Sequence, residues 1–176
     1  MSTPGLTPSQ TVGPFFHDAL LRRDAVAAAV VPMDTAGSRV RIHGTMIDGA
    51  GEGVPDAMIE AWQGSWFTRT GTGDGGHFAF TTMHPSDVPG ERATNDAPHI
   101  ELLIAARGLL NHLVTRIYFP GEGRNAADPV LQRVPPGRRA TLIARREASA
   151  PDEGVPLYRF DIVLQGHDET VFFDVR

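Results

Sequence analysis

The chain has 176 residues, a formal net charge of −5 at pH 7, and 41% hydrophobic against 21% charged residues. This length fits a single domain, and the composition is that of a globular protein rather than a disordered one. The acidic balance argues against nucleic-acid binding, and the absence of cysteine excludes disulfides, thiolate metal sites and cysteine nucleophiles.

The start of the chain, residues 1–38, is expected to form an arm and lead-in before a core of residues 39–176, all in one domain. Pro, Gly, Ser and Thr dominate residues 1–16, which predicts an extended arm, because proline and the residue before it disfavour the helical conformation. The Ala-rich residues 18–31 predict a short helix. No secretory signal and no long apolar run is evident, so a soluble cytoplasmic protein is expected.

From Arg39 onward, apolar and polar residues alternate with the two-residue period of a β-strand. Asp128 followed by Pro129 predicts an N-cap and one helical turn that ends at Arg133. Seven to nine short strands with few helical turns predict an all-β fold, a β-sandwich. After the first strand, further strands are predicted at residues 57–63, 77–81, 99–107, 113–119, 139–146, 158–165 and 170–174.

The candidate chemistry centres on two strands. His99 and Glu101 are two residues apart on a predicted strand, so both can face one metal ion, but no further ligand is evident and a structural pair is the simpler interpretation. Arg116, in the middle of the next strand, fits equally a structural ion pair and a contact to an anionic substrate. Glu60, beside Trp62, is interpreted as a structural carboxylate.

Several segments, taken in order and with their spacing, resemble the intradiol ring-cleavage dioxygenases. They are residues 7–15, 54–63, 72–80, 97–100, 115–119 and 158–162. The closing residues 166–174 are similar to the alpha subunit of the two-subunit enzymes in this family. The resemblance implies a β-sandwich protein of aromatic catabolism, in which a catechol ring is opened by dioxygen at a non-haem Fe(III) held by two Tyr and two His.

The chain departs from that ligand set. Its only tyrosines, Tyr118 and Tyr158, fall in strand motifs that the family also carries where no iron binds. Phe67 stands where a ligand-bearing insertion would supply Tyr, and Glu101 replaces the second histidine, which leaves His99 alone. The resemblance therefore implies no catalytic residue and no metal site in this chain, with Fe(III) held by a partner beta subunit.

The same resemblance implies that Thr11, Gly13 and Pro14 line the mouth of the substrate pocket and that Arg116 lies near a small aromatic substrate. A guanidinium there suits a ring that carries a carboxylate. The family also implies αβ pairs within a larger hetero-oligomer, without nucleic acid or membrane. Two alternatives stay open: a transthyretin-like binding or structural module, and a self-sufficient dioxygenase that uses His99, Glu101 and another histidine.

Overall fold

A computed structural model describes residue 5 and residues 7–13, 15–22, 37–64, 66–87, 96–149 and 154–174. Within these ranges the regular secondary structure is mostly β-strand, which confirms the predicted all-β class. The strands are β1 Arg39–Ile47, β2 Met58–Gln63, β3 Trp66–Gly71, β4 His77–Met83, β5 His99–Ala105, β6 Leu113–Tyr118, β7 Arg145–Glu147, β8 Leu157–Arg159 and β9 Ile162–Val163. The helices are α1 Phe15–Leu20 and α2 Pro129–Arg133, with 3₁₀ turns at Asp74–Gly76, Pro85–Asp87, Gly123–Ala127 and Pro136–Leu142.

The strands form two sheets. The first has the order β4-β1-β8-β7, with β9 also paired to β1; β4 runs antiparallel to β1, while β8 and β9 run parallel to it. The second has the order β3-β2-β5-β6, and all its neighbours are antiparallel. Apolar side chains from both sheets meet in one core cluster, so the sheets are the two layers of a sandwich.

The core follows from the alternation in the sequence. On β5, Ile100, Leu102 and Ile104 are completely buried, while the residues between them point to the other face of the second sheet. Burying each such side chain stabilises the fold by about 1.5–3 kcal/mol. A smaller cluster around Tyr118 and Leu131 packs α2 against the face of this sheet that points away from the main core.

The prediction of a strand at residues 139–146 is wrong over most of its length. A 3₁₀ turn occupies Pro136–Leu142, and only Arg145–Glu147 pairs as a strand. The physical reason is local: proline at the first helical position presets the backbone for a turn. The guanidinium of Arg139 also donates to the carbonyls of Val134 and Gln132, which holds the turn onto the end of α2.

Other differences lie at the two ends of the chain and beside β2. Residues 170–174 form no strand; Thr170 and Phe173 each donate one backbone hydrogen bond, to Val163 and Val114. The strand β3 was not predicted, because its sequence lacks clear alternation. Residues 7–13 contain neither helix nor strand, and α1 begins three residues before the predicted helix, most of which lies outside the described residues. None of the described helices is both long and apolar enough to cross a membrane.

Gly44 is required where β1 lies against the chain just beyond β8. A Cβ at this position would overlap the backbone carbonyl of Phe160, whereas a Cβ at Gly73 meets nothing within 4 Å. We expect Gly44→Ala to lower the free energy of unfolding by about 1–3 kcal/mol, because backbone must move. Gly73→Ala is the matched control, expected to stay within about 0.5 kcal/mol of the wild type. Denaturant unfolding checks both, and equal midpoints for the two variants would contradict the packing argument.

Candidate functional site

The predicted chemistry lies on the outer face of the second sheet, meaning the face that points away from the main core. Strand register places Phe67, Trp62, Glu101 and Arg116 side by side across the four strands. His99 precedes Glu101 by two residues on β5 and therefore shares this face. The sheet thus brings together residues that are distant in the sequence, and we call Asp96, His99, Glu101 and Arg116 the remnant cluster.

Arg116 is shared between two carboxylates of its own chain. Its Nη2 lies 3.0 Å from Oε1 of Glu101, and its Nη1 lies 3.4 Å from Oδ2 of Asp96. The Arg116 side chain is only 16% exposed, so water screens these pairs incompletely. Burial alone lowers the pKa of Arg116, but Tyr118, Glu101 and Asp96 outweigh it and raise that pKa. Of the two interpretations of Arg116, the ion pair is present, and the substrate contact stays a prediction.

The orientation of His99 is fixed by the backbone. Its Nδ1 lies 2.8 Å from the carbonyl oxygen of Ala97, and because a carbonyl only accepts, Nδ1 carries the proton and donates. Its Nε2 then faces Glu101, 3.9 Å from Oε1. The His99 ring, when its Nε2 also carries a proton, and the Arg116 guanidinium lower the pKa of Glu101 from 4.5 to about 2, although partial burial opposes them. Glu101 is therefore ionised at neutral pH.

Asp128 holds this part of the chain together. It is completely buried, and its Oδ1 accepts from the backbone nitrogens of Val130 and Leu131, which confirms the predicted N-cap of α2. The same oxygen accepts from the hydroxyl of Tyr118 at 3.0 Å, and Oδ2 accepts from the nitrogen of Ala97 at 2.8 Å. One carboxylate thus connects α2, the end of β6 and the segment that leads to His99.

The residues present do not fit a ferric centre. Burial and the charge of Asp128 raise the pKa of Tyr118 against the opposing effect of Arg116, so Tyr118 is a neutral phenol rather than a phenolate. Tyr158 lies in the main core, edge-on to Phe119, and Phe67 packs against Trp62 with ring centroids 4.5 Å apart. In the described part of the chain, no three His, Asp or Glu side chains are grouped closely enough to hold a metal ion.

The arm residues lie elsewhere. The hydroxyl of Thr11 accepts a 2.8 Å hydrogen bond from the nitrogen of Gly108, just beyond the end of β5 that is remote from His99. Thr11 and Gly13 are exposed, and Pro14 lies outside the described residues. At about 3.3 Å per strand residue, the remaining length of β5 separates Thr11 from Glu101 by more than about 13 Å. Among the described residues, Thr11 and Arg116 therefore do not line one pocket within this chain.

Sequence reasoning missed two partners on the outer face. The sequence does not indicate Asp96 as a partner of Arg116, because Asp96 precedes β5 and its contact with Arg116 depends on tertiary structure. Arg69 donates to Oε1 of Glu60 at 2.6 and 3.0 Å, and Trp62 donates to Oε2 at 3.3 Å. Glu60 is therefore a paired carboxylate, in agreement with its interpretation from the sequence.

Comparisons with known proteins agree with this architecture. A family described as Dioxygenase matches residues 12–166. The chain is 39% identical to the protocatechuate 3,4-dioxygenase alpha chain of Burkholderia cepacia, over 99% of this chain and 100% of that one. The chain belongs to the intradiol dioxygenase family. Chemistry in this family depends on non-haem iron.

Two further similarities bear on subunits and fold. The protocatechuate 3,4-dioxygenase beta chain of Burkholderia cepacia is 30% identical, over 92% of this chain and 77% of that one. The dioxygenase domain of a dioxygenase and carbohydrate-binding fusion from Streptomyces sp. SirexAA-E has a TM-score of 0.62 and 24% identity, over 94% of this chain and 99% of that one. The latter similarity concerns the fold alone.

The Asp128 network predicts a large loss of stability. Asp128→Asn places an amide group where the carboxylate accepts from four donors, so at least one buried donor loses its acceptor. We expect the free energy of unfolding to fall by about 2–4 kcal/mol. Tyr118→Phe removes one bond only and is expected to lower it by about 1 kcal/mol. Urea unfolding compares them, and equal losses would contradict a shared acceptor.

Glu101 predicts a pH-dependent contribution to stability. Its pKa is about 2 in the folded chain against 4.5 ordinarily, so its contribution is present above pH 4.5 and is lost as the pH falls towards 2. Because the side chain is 49% exposed and screened by water, we expect Glu101→Gln to lower stability at pH 7 by only about 0.5–1 kcal/mol. The difference from the wild type should vanish near pH 2 in thermal unfolding. Glu52→Gln, at an exposed position, is the control, and a pH-independent difference for Glu101→Gln would contradict the ion pairing.

Proposed function

We propose that this chain is the alpha, non-iron-binding subunit of a protocatechuate 3,4-dioxygenase. That enzyme cleaves protocatechuate with O₂ to 3-carboxy-cis,cis-muconate. The observation that carries the proposal is the end-to-end similarity to a protein named as the alpha chain of such an enzyme. The sequence supports it, because its two tyrosines leave a chain with this family's fold short of the ligand set that the resemblance implies, so that it would need a partner for the chemistry.

We assign the Fe(III) to a beta subunit. In this chain the phenol of Tyr118 is committed to Asp128, and Tyr158 is part of the core, so neither is available as a ligand. The similarity to a beta chain supports a partner with a related sequence. By analogy with the two-subunit enzymes, we also propose αβ pairs within a larger hetero-oligomer; the exposed rings of Phe15 and Trp62 are consistent with burial at such contacts.

This chain would contribute to the wall of the substrate pocket. Arg116 uses one nitrogen for each of its two ion pairs, and a guanidinium has further N–H groups with which to meet the carboxylate of protocatechuate. Thr11 and Gly13 are exposed on the arm and are therefore available to a neighbouring chain, with Pro14 beside them in the sequence. Because the arm and the remnant cluster are apart in this chain, we expect them to approach the pocket from different sides.

The assignment of the iron to a beta subunit predicts different behaviour for the chain alone and for its complex with that subunit. Purified alone, the chain should be colourless and should consume no oxygen with protocatechuate, because it offers no phenolate to Fe(III). Co-expressed with a beta subunit, it should co-elute on size exclusion, and the complex should absorb visible light and take up oxygen. Visible absorbance and turnover from this chain alone would refute the proposal.

Arg116 predicts an effect on substrate binding in the complex. We expect Arg116→Ala to raise the KM for protocatechuate roughly tenfold, which corresponds to one lost charged hydrogen bond. Iron content should stay unchanged, and the KM for a catechol without a carboxylate should change little. Arg69→Ala, on the same sheet face but paired to Glu60, is the matched control. An unaltered KM for protocatechuate, or loss of iron, would contradict this role.

A further inference from the structure

In the remnant cluster, two carboxylates contact one positive charge as they would contact a bound cation. That charge is the guanidinium of Arg116, a side chain of the same protein. Glu101 and Arg116 are directly opposite each other in the β5–β6 ladder, Asp96 also contacts the guanidinium, and His99 lies beside Glu101. Nη2 of Arg116 lies 3.0 Å from the Glu101 oxygen that is also the one nearest to His99. The positive charge thus contacts the same carboxylate oxygen that an ion between Glu101 and His99 would use.

His99 is oriented as metal-ligating histidines are. Such histidines usually donate their second ring nitrogen to a backbone carbonyl or a carboxylate, and Nδ1 of His99 donates to Ala97 at 2.8 Å. Its Nε2 is 3.9 Å from Oε1 of Glu101. Ligand atoms that each lie about 2 Å from a zinc ion are no more than about 4 Å from one another, so this pair is close enough to share one ion.

We propose that the Arg116 guanidinium takes the place of a metal ion in this chain and keeps divalent cations away from His99 and Glu101. The arrangement has a physical cause. The carboxylates of Asp96 and Glu101 lie on the two sides of one partly shielded guanidinium, and a cation between them offsets the repulsion of like charges. A guanidinium fixed to β6 does so without any ion from solution, and it competes for the Glu101 oxygen at every metal concentration.

A second ion pair on the same face provides a comparison. Nη2 of Arg69 lies 2.6 Å from Oε1 of Glu60. The two side chains are 16% and 12% exposed, so this pair is also partly shielded from water. The hydrogen bonds of Glu60 come from Arg69 and Trp62, and no imidazole is among them. Removing the charge of Arg69 leaves a lone carboxylate, whereas removing that of Arg116 leaves the carboxylate of Glu101 with the imidazole of His99 3.9 Å from it. Imidazole and carboxylate ligands suit zinc, so only the second change should create a metal site.

The test is zinc binding by the purified full chain, or by its complex where the chain needs its partner to stay folded. Isothermal titration with Zn²⁺ alone at pH 7 compares the wild type with Arg116→Gln, Arg116→Lys and Arg69→Gln. We expect Arg116→Gln to bind one Zn²⁺ per chain at least tenfold more tightly than the wild type. Arg116→Lys, which keeps the positive charge, and Arg69→Gln should behave as the wild type does. Adding His99→Gln to Arg116→Gln should abolish the gain.

Three outcomes would overturn the proposal. The folded Arg116→Gln variant could bind Zn²⁺ no more tightly than the wild type does, or the wild type could already bind Zn²⁺ as tightly as is expected of that variant. The higher zinc affinity of Arg116→Gln could also persist after His99→Gln is added. Arg116→Met, which keeps the length of the side chain without its charge, is the second variant and should show the same gain. If both uncharged variants fold only when Zn²⁺ is present, the ion has replaced the guanidinium, which supports the proposal. If they stay unfolded with and without Zn²⁺, the proposal fails.

Discussion

Asp128 is completely buried, and its two oxygens accept from the Tyr118 hydroxyl and from the backbone nitrogens of Ala97, Val130 and Leu131. Burial makes each of these bonds obligatory, because a buried donor without an acceptor costs about 1–3 kcal/mol. The chemistry of the outer face depends on this constraint. It keeps Tyr118 as a protonated donor, and it fixes the peptide of Ala97, whose carbonyl in turn orients the ring of His99.

The sequence was sufficient where the structure depends on neighbours along the chain. The N-cap at Asp128 could be predicted because an acidic residue before proline acts on backbone groups only two and three positions away. Alternation likewise placed His99 and Glu101 on one face of β5. At residues 139–146, local chemistry acted against the prediction: the proline-initiated turn prevailed over an apparent strand pattern. In each case the decisive interaction spans only a few residues.

The rest of the site depends on strand register, meaning which residues of neighbouring strands lie opposite each other. Register cannot be inferred from a single sequence. Glu101 faces Arg116, and Glu60 faces Arg69, only because β2, β3, β5 and β6 pair in this particular alignment. A shift by one residue would move every one of these side chains to the opposite face. The contact of Asp96 with Arg116 also requires the segment before β5 to be held in place, which Ala97 and Asp128 accomplish from outside that segment. Long-range pairing of this kind leaves no mark in local composition.

Register also supplies a positive charge to the carboxylate at position 101. Glu101 adds a negative charge to a face that already carries Asp96. The residue opposite Glu101 in the ladder is an arginine, whose planar guanidinium contacts both carboxylates at once through different nitrogens. A lysine ammonium is a compact point charge on a flexible stem and lacks this fork. The ion pairing on this face therefore depends on a cross-strand pair of residues, since without Arg116 both Glu101 and Asp96 would lose the cation that contacts them.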